Sequence, residues 1–256
     1  MSTDRRRFLR NVLAAAGAGL LAGCDQLSQT EWAPKVLGQA ETLSHAVQRA
    51  LTRGALAREY TEADISPVFR ANGSTNPQTS EYRALVENNF IDYRLTVGGL
   101  VAHPLSFSLE QLRALPSRTQ ITRHDCVEGW SVIGKWKGVQ LSRVLELAKP
   151  RGDARYVVFH CFDRMDDGGL EGGTPYYESI GFDDAYHPQT LLAYELNDQP
   201  LPIQNGAPLR ARIERQLGYK QAKYISSIEL TDSLDDIGDG NGGYWEDQGY
   251  EWYAGI

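Results

Sequence analysis

Short apolar runs set between turn-forming residues constrain this chain more than any other feature. Arg94 to Val97 runs into Gly98-Gly99 and then Leu100-Val101, which predicts a strand, a two-glycine turn and a return strand. Tyr156 to Phe159 is wholly apolar and predicts a buried strand that presents His160 and Cys161 at its exit. Leu191 to Leu196 predicts another, with Asn197-Asp198 as the turn and Pro200 to Ile203 as the return. Asn205 to Arg210 is a turn feeding a strand over Leu209 to Ile213, and Tyr224 to Leu230 is one more strand. Helical signals are fewer. Ser108 and Gln111 make a capping box for a helix with Leu109, Leu112 and Leu115 inward, ended by Pro116. Leu141, Val144, Leu145 and Ala148 mark a second helix ending at Pro150. Leu43, Val47, Ala50, Leu51 and Leu56 predict an amphipathic helix from Glu41 to about Tyr60, packed on the body. Many short strands with few helices give an α+β class with β-rich mixed sheets.

At 256 residues and 41% apolar, the chain can bury one substantial core. Its formal charge of -7 argues against a nucleic-acid partner, because a polyanion needs a basic face. Residues 1–24 form an export signal rather than fold: Arg5-Arg6-Arg7-Phe8-Leu9-Arg10 is followed by a short apolar stretch from Val12 to Leu21. The basic part is similar to the twin-arginine signal of proteins exported in the folded state, usually with a cofactor loaded. Leu21-Ala22-Gly23-Cys24 resembles a bacterial lipobox, with Cys24 the lipidated residue and Asp25 a signal for retention at the inner membrane. A lipid anchor then takes the place of a spanning helix, for which about ten apolar residues are too few. Residues 25–80 are an N-terminal helix and linker, 81–232 the main domain, and 233–256 an acidic aromatic tail expected to pack back on the body or to meet a partner.

The chemistry centres on Arg123-His124-Asp125-Cys126-Val127-Glu128-Gly129-Trp130, where a β-prone segment from Gln120 places Cys126 at a strand end. Three readings of the thiol stand open. As a nucleophile it has His124 two residues away, with Asp125 or Glu128 to orient the imidazole, which describes a thiol-dependent transferase. As a metal ligand it lacks the paired spacings of structural zinc, yet one thiolate can hold a soft metal whose other ligands belong to a cofactor. As a spectator it sits in a non-catalytic exported binding module. Cys161 is either its disulfide partner or a separate thiol. A cofactor phosphate needs cations and amides, for which Asn88 and Asp92, Asn205 and Arg210, and Lys220 and Lys223 are available. Two glycine-bearing loops are expected, one over Ile65 to Thr79 that can reach such a site and one over Asp163 to Tyr177.

Arg123 to Ser131 with Trp136-Lys137-Gly138-Val139 resembles the molybdenum-binding core of the sulfite oxidase family, and Leu191 to Asn197 with Asn205 to Arg210 resembles its second signature. The likeness spans roughly residues 80 to 232 and is nearest to the periplasmic methionine sulfoxide reductase subgroup. It implies a sulfite oxidase-type fold binding Mo-molybdopterin, with Cys126 as the protein ligand of the metal. Around that ligand His124, Asp125 and Glu128 are candidate proton or substrate contacts, with purely structural hydrogen bonding as the alternative. The likeness also implies cofactor contacts at Asn88, Ile91, Asp92, Cys161, Asn205, Arg210, Gln221, Ala222 and Lys223. The subgroup has a threonine where this chain has Cys161, which makes that thiol a cofactor contact. The arginine of the sulfite oxidases is absent from Asn88 to Tyr93, which speaks against sulfite as substrate. No Cys-x-x-Cys-His haem motif is present, so electrons pass to or from a separate partner, a membrane quinol-linked haem protein or a cytochrome.

Overall fold

The computed structural model describes residues 54–165 and 172–256, together with residues 30, 32, 39, 40, 43, 44 and 47. The chain divides into two compact units, Met1–Ala55 and Leu56–Ile256. In the first, residues 39, 40, 43, 44 and 47 are helical, and Leu43 and Val47 are exposed. The helix predicted as far as Tyr60 ends sooner, since Gly54 turns at φ 75° and residues 55–60 are not helical. Ala50, Leu51 and the signal segment with Cys24 lie outside the described residues.

The second unit is built on two sheets. Its strands are β1 (Arg94–Gly99), β2 (Leu105–Ser108), β3 (Ser117–Asp125), β4 (Ser131–Gln140), β5 (Tyr156–Met165), β6 (Thr174–Gly181), β7 (Leu191–Leu196), β8 (Gln199–Pro200), β9 (Arg210–Arg212) and β10 (Ile225–Thr231). One sheet runs β2-β1-β10-β5-β6, the other β3-β4-β7-β8 with β9 also on β7. Among the described residues only β1 and β10 pair in parallel, so the first sheet is mixed, as the class required. The helices are short: α1 (Ser80–Glu87), α2 (Leu109–Ala114), α3 (Leu141–Ala148), α4 (Phe182–Ala185) and α5 (Tyr244–Asp247).

Inward residues of both sheets meet in one core. Leu95 and Val97, Val157 and Phe159, and Ile228 face Val139, Leu192, Tyr194 and Ala211. The pairs two residues apart follow from the pleat, which sends alternate side chains to one face. α3 adds Leu141, Val144, Leu145 and Ala148, all buried at the predicted spacing. α2 carries the predicted capping box, with Gln111 N donating to Ser108 Oγ at 3.1 Å and Ser108 N to Gln111 Oε1 at 2.7 Å. Among the described residues no helix is long and apolar enough to cross a membrane.

Three expectations change. Gly98 and Gly99 are not a hairpin turn but the end of β1, whose antiparallel partner is β2, with Val97 opposite Leu105. Gly99 is needed there because it takes φ 77° and a Cβ would stand 2.2 Å from Leu230 O of the parallel neighbour. Cys161 lies within β5 rather than at its exit, because the ladder to β6 continues to Met165. The glycine-rich loop between them is correspondingly shorter, Asp163 to Met165 and Thr174 to Tyr177 being strand. The tail does pack back: Tyr244 and Ala254 are buried, and Trp252 Nε1 donates to Ser179 Oγ at 2.8 Å.

Candidate functional site

Alternation along β3 decides where Cys126 goes. Gln120, Thr122 and His124 take buried positions, and Cys126 falls next in the same row, one residue past the strand. Asp125 pairs with Ser131 across the β3–β4 hairpin, so residues 126–130 are its loop. The loop closes through Cys126 N to Trp130 O at 2.9 Å and Gly129 N to Cys126 O at 3.0 Å, with Gly129 at φ 85°.

Cys126, Val127 and Glu128 line one side of a cleft with about 740 Å³ of empty space, its open mouth included. The loop before α1 adds Asn72, Gly73 and Ser74, and Asn72 Nδ2 approaches Cys126 Sγ at 3.8 Å. Asp163, Met165 and Tyr176 come from β5 and β6, and Arg210, Gln221 and Lys223 from β9 and the segment after it. Trp245 and Tyr250 of the tail close the remaining side.

The cleft is built for an anionic, polar ligand. Arg210 is buried with its Nε unpaired, and its Nη1 donates to Asn205 O at 2.9 Å. Lys223 Nζ donates to Asn72 O at 2.6 Å and to Ser74 O. In or directly behind the walls, Gln221 Oε1, Asn205 Nδ2, Asp163 Oδ1 and His124 Nε2 also lack a hydrogen-bond partner. Each buried unpaired group costs about 1–3 kcal/mol, so their gathering at one cleft marks a place where a ligand supplies the partners. Burial, then the charge of Arg212, pushes the Arg210 guanidinium down, and burial, then Arg210, pushes the Lys223 ammonium down to about 7. Burial raises the Asp163 carboxyl to about 6, against the hydrogen bond from Ser74 Oγ at 2.8 Å. A phosphate between Arg210 and Lys223 relieves both cations. Among the described residues no group of three His, Cys, Asp or Glu gathers to hold a metal. Cys126 thus suits a metal whose other ligands arrive with a cofactor.

His124 sits behind this wall rather than in it. A Cβ on Gly218, which lines the cleft, would stand 2.7 Å from its Cε1 and Nε2. Arg212 Nη1 can only donate, at 3.0 Å, so Nδ1 accepts and the ring proton is assigned to Nε2. Burial, then Arg212 and Arg210, holds the imidazole well below its usual range. Glu214 fixes Arg212 through bonds of 3.0 and 2.7 Å. His124 is therefore a neutral, oriented donor and not a base for the thiol. Asp125 turns away from the cleft to Arg123 at 2.8 Å and Ser131 at 2.5 Å. Glu128 does line the cleft, its Oε2 accepting from Trp130 Nε1 at 2.8 Å.

Of the remaining expected contacts, Arg210, Gln221 and Lys223 come together in the cleft, with Asn205 and Ala222 buried just behind. Asn88, Ile91 and Asp92 do not line it. Asn88 Nδ2 bonds Asp92 Oδ2 at 2.8 Å, and Ile91 is 74% exposed. Asn72 to Ser74 stand there instead, from the loop expected to reach the site but not assigned contacts. Local sequence cannot rank two asparagine-bearing segments when only tertiary contact separates them. Cys161 is buried outside the lining and is not disulfide-bonded, Cys126 and Cys161 both being free. Burial, then Asp163, holds its thiol well above its usual range.

A family model described as "Oxidoreductase molybdopterin binding domain" matches residues 83–236. A "Putative protein-methionine-sulfoxide reductase subunit YedZ1" of Azospira oryzae is 38% identical over 252 residues, covering 98% of this chain and 87% of that protein. A "Protein-methionine-sulfoxide reductase catalytic subunit MsrP" of Xanthomonas axonopodis pv. citri is 33% identical over 237 residues, covering 90% and 71%. Among solved structures, the sulfane dehydrogenase SoxCD from Paracoccus pantotrophus matches 56% of this chain and 39% of that one, with 21% identity and a TM-score of 0.49.

Proposed function

The chain belongs to the molybdopterin-binding oxidoreductase family, of sulfite oxidase type, and on that premise we propose that it reduces sulfoxides with Cys126 as the protein ligand of its metal. It is a molybdenum-dependent enzyme that carries Mo-molybdopterin and performs two-electron oxo transfer. The observation that carries the site assignment is the single cysteine sharing one cleft with a buried lysine, a buried arginine whose Nε is unpaired, and amides with unpaired atoms. The names of the two relatives, both methionine-sulfoxide reductases, support the substrate class.

Bound in the cleft, the cofactor would supply the metal chemistry of two-electron oxo transfer, in which two electrons and two protons convert a sulfoxide to thioether and water. The rest falls to the chain. Arg210 and Lys223 hold the cofactor phosphate, while Gln221, Asn205 and the Nε2–H of His124 offer amide and imidazole partners to its polar ring edge. Asn72 orients the Cys126 sulfur. Glu128, steadied by Trp130, delivers a proton to the departing oxygen. Val127, Met165, Trp245 and Tyr250 take the apolar substituents of the sulfoxide and limit water.

The chain carries no Cys-x-x-Cys-His sequence, so a separate haem protein or cytochrome supplies the electrons; the word "catalytic subunit" in a relative's name supports a partner. Arg5-Arg6 and the Leu21 to Cys24 lipobox support export to the periplasm and an anchor at the inner membrane through Cys24. Protein made with its leader in a molybdenum-replete host should contain one metal per chain and reduce methionine sulfoxide with a reduced viologen. Metal-independent turnover lost on alkylation of Cys126 would make it a thiol transferase instead. Neither metal nor turnover would leave a binding module.

A further inference from the structure

The aromatic side of the cleft is built by a segment too short to hold itself. Trp245 and Tyr250 line the cleft, yet α5 is a four-residue turn of helix, below the length at which helices persist alone. Both residues lie beyond 83–236, the region matched by the family model. Their ring centroids lie 5.3 Å apart with the planes tilted by 33°, and Tyr250 meets Tyr219, another lining residue, edge-on at 5.3 Å.

Directly beneath α5 lies a cluster that the chemistry of the cleft does not use. Lys220 Nζ donates to Glu178 Oε1 at 2.5 Å and to Glu246 Oε1, and the three side chains are at most 1% exposed. Glu178 comes from β6, Lys220 from the turn between two cleft residues, Tyr219 and Gln221, and Glu246 from α5 next to Trp245. Gly243 bridges to Glu178 and permits the approach, since a Cβ there would stand 2.1 Å from Glu246 Oε2 and 2.7 Å from Glu178 Oε1. Burial, with Glu246 beside it, pushes the Glu178 carboxyl well above its usual range, so a proton rather than a second cation balances the two carboxyls on one ammonium, and Glu178 Oε2 and Glu246 Oε2 have no partner outside the cluster. Such an arrangement is a poor source of net stability compared with apolar packing, so it points to a need for position.

We propose that Glu246 is a positioning residue: through Lys220 and Glu178 it latches α5 to the body, and so holds Trp245 and Tyr250 as the wall that receives the apolar groups of the substrate. The inference rests on the sulfoxide reading for the substrate and on the geometry alone for the latch. Three of the cofactor contacts, Arg210, Lys223 and Cys126, reach the cleft from β9, the segment before β10 and the β3–β4 loop rather than from α5, and Gln221 stays beside a Lys220 that is still held by Glu178 when Glu246 is changed.

The test compares Glu246→Ala, Glu246→Gln and Trp245→Ala in the molybdenum-loaded enzyme. Lys220 keeps Glu178 in every variant, so the body retains its ion pair. Glu246→Ala should lose amide-exchange protection over 244–250 and raise KM for methionine sulfoxide roughly tenfold or more, the discrimination one apolar contact gives. Molybdenum content should not change. Glu246→Gln, which still accepts from Lys220, should restore both protection and KM. Trp245→Ala should raise KM with the remaining amides still protected, which keeps the test alive if Glu246→Ala does not fold. Unchanged protection or unchanged KM in Glu246→Ala, loss of molybdenum, or a Gln variant as damaged as the Ala variant would each overturn the latch. If the wild type does not reduce methionine sulfoxide, the proposed activity falls, and the exchange rates alone decide: retained protection in Glu246→Ala then refutes the latch.

Discussion

Lys223 and Asp163 meet in the cleft with opposite burdens, which gives the cofactor-free protein an unusual pH response. Lys223 titrates near 7 when folded against 10.5 in its ordinary state, so between those values the unfolded chain holds a proton that the folded chain lacks. Its contribution to stability therefore rises with pH from about 7 to 10. Asp163 is raised from 3.8 to about 6, so its contribution is greatest at low pH and is lost as pH rises through 6. The urea midpoint of cofactor-free protein should pass through a shallow minimum between pH 6 and 7, and Lys223→Met should abolish the rise above it. A bound phosphate favours the charged lysine, so cofactor loading above pH 7 should take up protons, which calorimetry in buffers of different ionisation enthalpy would detect. At the same scale, Glu128→Gln keeps an acceptor for Trp130 and removes the acid. Its kcat should fall by about 10²-fold or more with molybdenum content intact, the range for losing a proton donor. A fall below threefold would remove Glu128 from the reaction.

Elements whose signals are local were legible in the sequence. Ser108 and Gln111 cap α2, the apolar stripe of α3 is buried, and Asn197-Asp198 turns at φ 53° and 61° between β7 and β8. Elements fixed by distant partners were not. Gly98-Gly99 has the composition of a hairpin turn, and only the parallel approach of β10 explains why the chain runs straight through it. The same limit put Asn88 rather than Asn72 among the expected contacts, since the two differ in which of them the fold brings to the cleft and not in their own neighbourhoods. Gly99→Ala tests this account: a left-handed backbone angle with a Cβ driven onto Leu230 O should cost about 2–3 kcal/mol in denaturant unfolding, whereas Gly98→Ala, with open space, should cost little.

At the scale of the molecule, the two-sheet body carries a cleft where the β3–β4 loop, the segment after β9 and the tail converge. Cys24→Ala should release active protein from the membrane fraction, while persistence there would refute the lipid anchor. The central claim, that this cleft holds molybdopterin with Cys126 as the only protein ligand of the metal, is tested most directly by X-ray absorption at the molybdenum edge. Wild-type and Cys126→Ser proteins, loaded to equal metal content, should differ by one sulfur neighbour at the metal. Identical sulfur shells in the two proteins would contradict it.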